Sequence, residues 1–224
     1  MEDVSTTTLI TALQEFLALF GPVDAVKFDN CSATIGSASA KRTISRTVQF
    51  LLRRRIVPIF SVPRKPFSQA SIEGNNSVFA RTFWNARTFW SIANVDRQLI
   101  WFNRSSLAYT GYINEPARRR SRTPFRRRVI FLRQVREDDA TAYIDVVNES
   151  IVLPTSHISN FVVAEWDIDH EELSVSIERE QALLHILSRS FPINSNSKYR
   201  PWPGPLSSGQ QPISCRERRI APAS

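Results

Sequence analysis

Two carboxylates, Asp29 and Glu73, have the residue type and setting that phosphodiester chemistry would use. Asp29 follows Val26-Lys27-Phe28, at the exit of a short predicted strand, and Glu73 lies in Ser71-Ile72-Glu73-Gly74, in the first turn of a predicted helix. Hard cations such as Mg²⁺ take oxygen ligands, commonly one or two carboxylates together with substrate phosphates. Two such ions can clamp the attacking and leaving oxygens of a phosphoryl transfer. Acids far apart in sequence, each at the end of a regular element, can converge on one cation. Asp29 and Glu73 are therefore read as paired catalytic and metal-binding residues. Each also has a plainer reading: Asp beside Asn closes turns, and Glu in a first helical turn complements the helix N-terminus. Asn30 and Asn76 are auxiliary candidates for orienting phosphate or water. Asn76 lies three residues after Glu73, on the same helix face.

The elements around these residues follow from periodicity. Leu9, Ile10, Leu13, Phe16, Leu17 and Phe20 form one apolar face of a helix over residues 5–20, capped by Ser5 or Thr6 and stopped by Gly21-Pro22. Residues 25–29 predict a buried strand, 40–55 a helix, 57–62 a second strand, and 71–90 a long helix. A further helix is expected around 95–103. This order fits an α/β layer. From residue 129 the period changes to two: Val129, Phe131 and Val135 form one run, and Ala142, Ile144 and Val146 a second. Segments 151–153, 161–168 and 173–177 follow at short spacing, so five strands predict a small antiparallel barrel over 129–190, closed by a helix at 179–190. Beyond 191 the Pro-rich, aperiodic tail to 224 is expected to be disordered.

The segment Phe20-Gly21-Pro22-Val23-Asp24-Ala25-Val26-Lys27-Phe28-Asp29-Asn30 resembles the Phe-Gly-x-Pro to Asp-Asn-Gly segment of integrase-core transposases, the family with an Asp-Asp-Glu triad. Ser68-Gln69-Ala70-Ser71-Ile72-Glu73-Gly74-Asn75-Asn76 resembles the helix that carries that family's Glu. The resemblance implies a ribonuclease-H-like α/β core, here its second half over residues 1–115, followed by a DNA-binding barrel. It makes Asp29 the second acid and Glu73 the third, both ligands to Mg²⁺ or Mn²⁺. Two positions depart from the pattern. Cys31 replaces the family's Gly, and the acids before Asp24, namely Glu2, Asp3 and Glu15, stand in no apolar strand. The chain is thus expected to begin inside a catalytic domain without a first acid, with metal held weakly or not at all. The resemblance also implies multimers, so a homo-oligomer is a candidate assembly.

Charge points to the same partner. The net charge is +8, the pI is about 10.2, and 25 of the 29 basic residues are Arg, whose planar fork suits phosphate. Arg118, Arg119, Arg120, Arg122, Arg126, Arg127 and Arg128 put seven cations in eleven positions. Such a block repels itself and is read as an interdomain linker over 116–128 and as the best DNA-backbone contact. Lys65, Arg81 and Arg87 are further candidates near the acids. Phe79, Phe83, Trp84, Phe89 and Trp90 could stack on bases, but helical spacing favours core packing. His157, His170 and His185 show no ligand spacing, and two cysteines, Cys31 and Cys215, make no disulfide framework. No apolar run reaches the roughly 18–20 residues of a membrane span, and no signal peptide is evident. A cytoplasmic, nucleoid-associated protein follows, with DNA as partner and neither membrane nor small-molecule substrate. The alternatives are a non-catalytic DNA-binding protein, an inactive transposase remnant, or a remnant that binds a protein partner.

Overall fold

Side-chain caps and apolar rows set most of the element boundaries. The computed structural model describes residues 5–35, 39–65, 70–110 and 124–194. Helix α1 (Thr6–Phe20) starts where the Ser5 hydroxyl accepts the Thr8 amide at 3.2 Å. It ends at Gly21, whose φ of 81° suits a residue without a Cβ. Strand β1 (Ala25–Phe28) and the one-turn helix α2 (Ser32–Ile35) follow. Helix α3 (Arg46–Arg53) begins later than the predicted residue 40, because the Ser45 hydroxyl caps it by accepting the Val48 amide at 3.0 Å. Its Val48, Leu51 and Leu52 are buried as expected, and Ile44 reaches the core from outside the helix. Strand β2 (Val57–Phe60) pairs parallel with β1 in register Ala25↔Val57 to Phe28↔Phe60.

The predicted helix over 71–90 divides. Helix α4 (Ala70–Phe79) passes into a π-helical turn at Ala80–Trp84, and helix α5 runs from Ile92 to Thr110, past the expected 103. The aromatics of this segment split between core and surface. Phe83 is fully buried against Phe79, Phe89 and Phe102, with ring centroids 5.0–5.2 Å away, while Trp90 and Ile92 are 78% and 81% exposed.

Seven strands follow: β3 (Arg128–Gln134), β4 (Arg136–Asp138), β5 (Thr141–Val146), β6 (Glu149–Leu153), β7 (Phe161–Asp167), β8 (Glu172–Arg179) and β9 (Ala182–Ser190). The protein is mixed α/β, as the helix and strand patterns indicated. The strands do not close into the expected barrel. They form an open six-stranded mixed sheet, β1-β2-β3-β7-β8-β9, and a separate three-stranded antiparallel sheet, β4-β5-β6. The reason is that β3 pairs parallel with β2, at Ile59↔Ile130 and Phe60↔Phe131. The Phe60 and Phe131 rings stack at 5.2 Å. That pairing begins just past Pro58, which has no N–H to give to a ladder. One sheet and one core cluster, from Ile44 and Phe60 to Trp166 and Val175, thus span both sides of the 116–128 stretch.

Two expectations for the end of the chain also differ. The closing helix at 179–190 is strand β9. Glu180 and Gln181, both at positive φ, make the two-residue turn that folds β9 back on β8, so cross-strand pairing overrides the helical propensity of Ala182-Leu183-Leu184. Residues 191–194, assigned to a disordered tail, are packed: Phe191 is fully buried, and its carbonyl accepts the Trp166 indole N–H at 2.8 Å. Residues 195–224 and 111–123 lie outside the described residues, and with them Cys215. Among the described residues no helix is long and apolar enough to cross a membrane.

Candidate functional site

Three parallel strands end together. β1 runs out into Asp29 and Asn30, β2 into Ser61 to Lys65, and β3 ends at Arg133 and Gln134. At these carboxyl ends lies an open groove of about 550 Å³, lined by Asn30, Arg64, Lys65, Arg133, Arg136 and Asp145 among others. The crevice outside the carboxyl ends of an open α/β sheet is where ligands bind in such folds. Four of these six lining residues are cations and one is an acid, so the groove favours an anion.

The Ser61 carbonyl is the hub of the site. It accepts from Asn30 Nδ2 at 2.7 Å and from Arg133 Nη1 at 3.2 Å. A carbonyl only accepts, so the amide nitrogen of Asn30 must face it. Asn30 Oδ1 is buried without a hydrogen-bond partner among the described residues. Asn30 therefore braces the exits of β1 and β2, and its amide nitrogen is committed to that brace. Asp29 is exposed. Its Oδ1 accepts the Cys31 amide at 3.4 Å, and its carbonyl accepts the Thr34 hydroxyl at 3.1 Å. The turn-closing role of Asp29 is thus met, with the carboxylate still facing solvent. Cys31, read as a small buried hydrophobe, is exposed, its Sγ 3.3 Å from the Thr34 hydroxyl.

Arg133 occupies the site from beneath. Its Nε donates to the Asp145 carbonyl at 2.8 Å, and Nη1 also donates to the Leu132 carbonyl at 2.8 Å. Burial pushes its guanidinium down to about 10, with the charge of Asp145 opposing that shift and Arg136 adding to it. Arg133 remains charged at neutral pH. Arg136, at the mouth, pairs with Asp145 and lies 5.1 Å over the Tyr143 ring.

The arginines that follow Thr123 are held differently. Phe125 packs against the core cluster. Arg126 pairs with Asp167 at 2.6 Å, Arg127 Nε donates to Asp169 at 2.6 Å, and Arg128 pairs with Glu165 at 3.0 Å. Asp167 also accepts the backbone amides of Asp169 and His170 at 3.0 Å each, and its Oδ2 is 2.9 Å from His170 Nδ1. Burial works to raise the Asp167 carboxyl, but the bonds from His170 and Arg126 outweigh it and hold the group below the usual carboxylate range.

The remaining predicted residues fall into three groups. Glu73 is the fourth residue of α4, but its side chain lies outside the described residues. Asn76 and Arg81 are exposed on α4 and the π turn that follows it. Arg118, Arg119, Arg120 and Arg122 lie outside the described residues. Lys65 lines the groove. Among the described residues no three His, Cys, Asp or Glu side chains come together.

Sequence reading passed over Arg64, Arg133 and Arg136. For Arg133 a signal was there. In the alternation Val129, Phe131, Arg133, Val135, an arginine takes an inward slot, and the structure buries all four. No protein-family model matches this chain, and no curated protein is significantly similar to it.

Proposed function

We propose that this chain binds nucleic acid and descends from an integrase-core transposase of the Asp-Asp-Glu class, with binding retained and strand transfer lost. The observation that carries this reading is the basic groove at the carboxyl ends of β1, β2 and β3, next to Asp29. The parallel pair β1 and β2, with α3 between them in sequence, is consistent with the second half of a ribonuclease-H-like sheet. A net charge of +8 adds a long-range attraction for a polyanion. Asp29 and Glu73 without a third acid would hold Mg²⁺ or Mn²⁺ weakly at most, so chemistry is not part of the reading. A short labelled DNA duplex, titrated at low salt and followed by fluorescence anisotropy, tests it. Binding that weakens steeply with salt is expected, and no binding at low salt overturns the reading. Incubation of DNA ends with the chain and Mg²⁺ is expected to give no joined product; a joined product overturns the loss of strand transfer.

A second reading rests on the exposed apolar residues of the helical segment. Trp84, Trp90, Ile92, Ile100 and Trp101 are all about half or more exposed, a composition suited to a protein interface. Under that reading, affinity for DNA falls little between low and moderate salt.

A further inference from the structure

Arg133 is a buried cation with no ion-pair partner among the described residues. It is 5% exposed, and its described hydrogen bonds go to three backbone carbonyls, those of Ser61, Leu132 and Asp145. Six other arginines, Arg42, Arg126, Arg127, Arg128, Arg136 and Arg189, each reach a carboxylate. Arg133 is in none of the ion pairs among the described residues. Carbonyl dipoles satisfy donors but do not neutralise charge. An ion removed from water costs several kcal/mol unless a partner compensates it. Asp145, the acid whose charge acts on Arg133, turns its side chain to Arg136 and to the Ser150 hydroxyl at 2.7 Å. Arg64, exposed on the loop after β2, lines the same groove. The groove is thus open and basic, and at its floor lies a charge that no carboxylate among the described residues pairs directly.

We propose that this groove is a phosphate subsite, in which one phosphodiester of a bound nucleic-acid strand supplies the counter-charge to Arg133, with Arg64 as the exposed second cation. The inference rests on the nucleic-acid reading above and names the place and residues of one backbone contact. A phosphodiester suits the site because it carries a permanent charge at neutral pH and several acceptor oxygens, and guanidinium groups bind such oxygens by charge-assisted hydrogen bonds. Asn30 takes no direct part. Its brace on Ser61 fixes the carbonyl that orients Arg133, which makes it a positioning residue.

The full chain and a short labelled single strand, titrated across a range of salt concentrations, test the proposal. Removing the cation that neutralises one phosphate lowers the slope of log affinity against log salt by roughly 0.7 for a single strand and 0.9 for a duplex. Arg64→Gln and Arg133→Met are each expected to lower the slope by about that amount. Arg133→Lys is expected to keep the slope, because the charge remains, and to lose affinity, because the fork does not. Arg189→Gln, at a cation already paired with Glu149 away from the groove lining, is the control and is expected to leave the slope unchanged. A wild-type slope in Arg64→Gln, or a drop in Arg189→Gln equal to that in Arg64→Gln, overturns the subsite while leaving nucleic-acid binding in place. Failure of the wild-type chain to bind any strand at low salt overturns the underlying reading instead. Arg64 is on the surface, so its variant decides the matter even where Arg133→Met fails to fold.

Discussion

The arginines just before and within the start of β3 and the arginine near its end are five to seven residues apart and are held in opposite ways. Arg126, Arg127 and Arg128 each meet a carboxylate on or beside β7, namely Asp167, Asp169 and Glu165. Arg133, on the same strand as Arg128, donates hydrogen bonds to carbonyls, lies 5.1 Å over the Phe131 ring and lines a groove. In sequence the first group looks like the stronger polyanion contact because it closes a run of seven arginines. In the fold each of its charges pairs with a carboxylate, whereas Arg133 has no ion pair among the described residues. The availability of a positive charge depends on its neighbours in space, and counting arginines along the chain does not measure it.

The largest change that would break this comparison is at the rim. Asp167→Ala removes the acceptor of four bonds, from Arg126, Asp169 and the His170 side chain and backbone, and is expected to cost about 2–3 kcal/mol of unfolding free energy, measured by denaturant titration. The same carboxylate predicts a pH dependence. The Asp167 carboxyl lies below its usual range in the fold, so its stabilisation is fully present above about pH 4 and drains away as pH falls through the folded value. Asp167→Asn should flatten that acid limb of the stability curve; an unchanged limb would assign it to other carboxylates. Arg128→Gln is expected to cost less, about 0–1 kcal/mol, because the Arg128–Glu165 pair is partly exposed. The smallest effect is expected at the acids. Asp29→Ala and Glu73→Ala should change DNA affinity by no more than about twofold, since removing an acid takes away no cation that could neutralise a phosphate. A large loss in either variant would mean that the carboxylates still hold a metal needed for binding.

Much of the fold was legible where local rules agree. The Ser5 cap, the Gly21-Pro22 stop, the separate strands at 25–28 and 57–60, and the alternating strands after 128 all follow from short-range pattern. The helix expected over 179–190 failed because Leu183, Leu184 and Leu187 suit either period, and the turn at Glu180 and Gln181 carries no glycine to announce it. The barrel failed for a longer-range reason: only the assembled sheet puts β3 beside β2. The candidate site was legible in part. Asp29, Asn30 and Lys65 were found, whereas Arg64 and Arg136 have no local mark that separates them from other surface arginines. Arg133 did have one, its inward slot in an alternating strand.

The sequence by itself determined the charge, the caps and breaks of the first half, and the apolar rows that become the core, because each depends on residues within a few positions of one another. Only the tertiary structure decided which charges are neutralised. Ion pairs such as Arg126–Asp167 and Arg128–Glu165 span some forty residues of chain, and the groove draws its wall from the ends of β1, β2 and β3 together. Coulomb interaction depends on distance and on the medium between charges, and both are set by the fold.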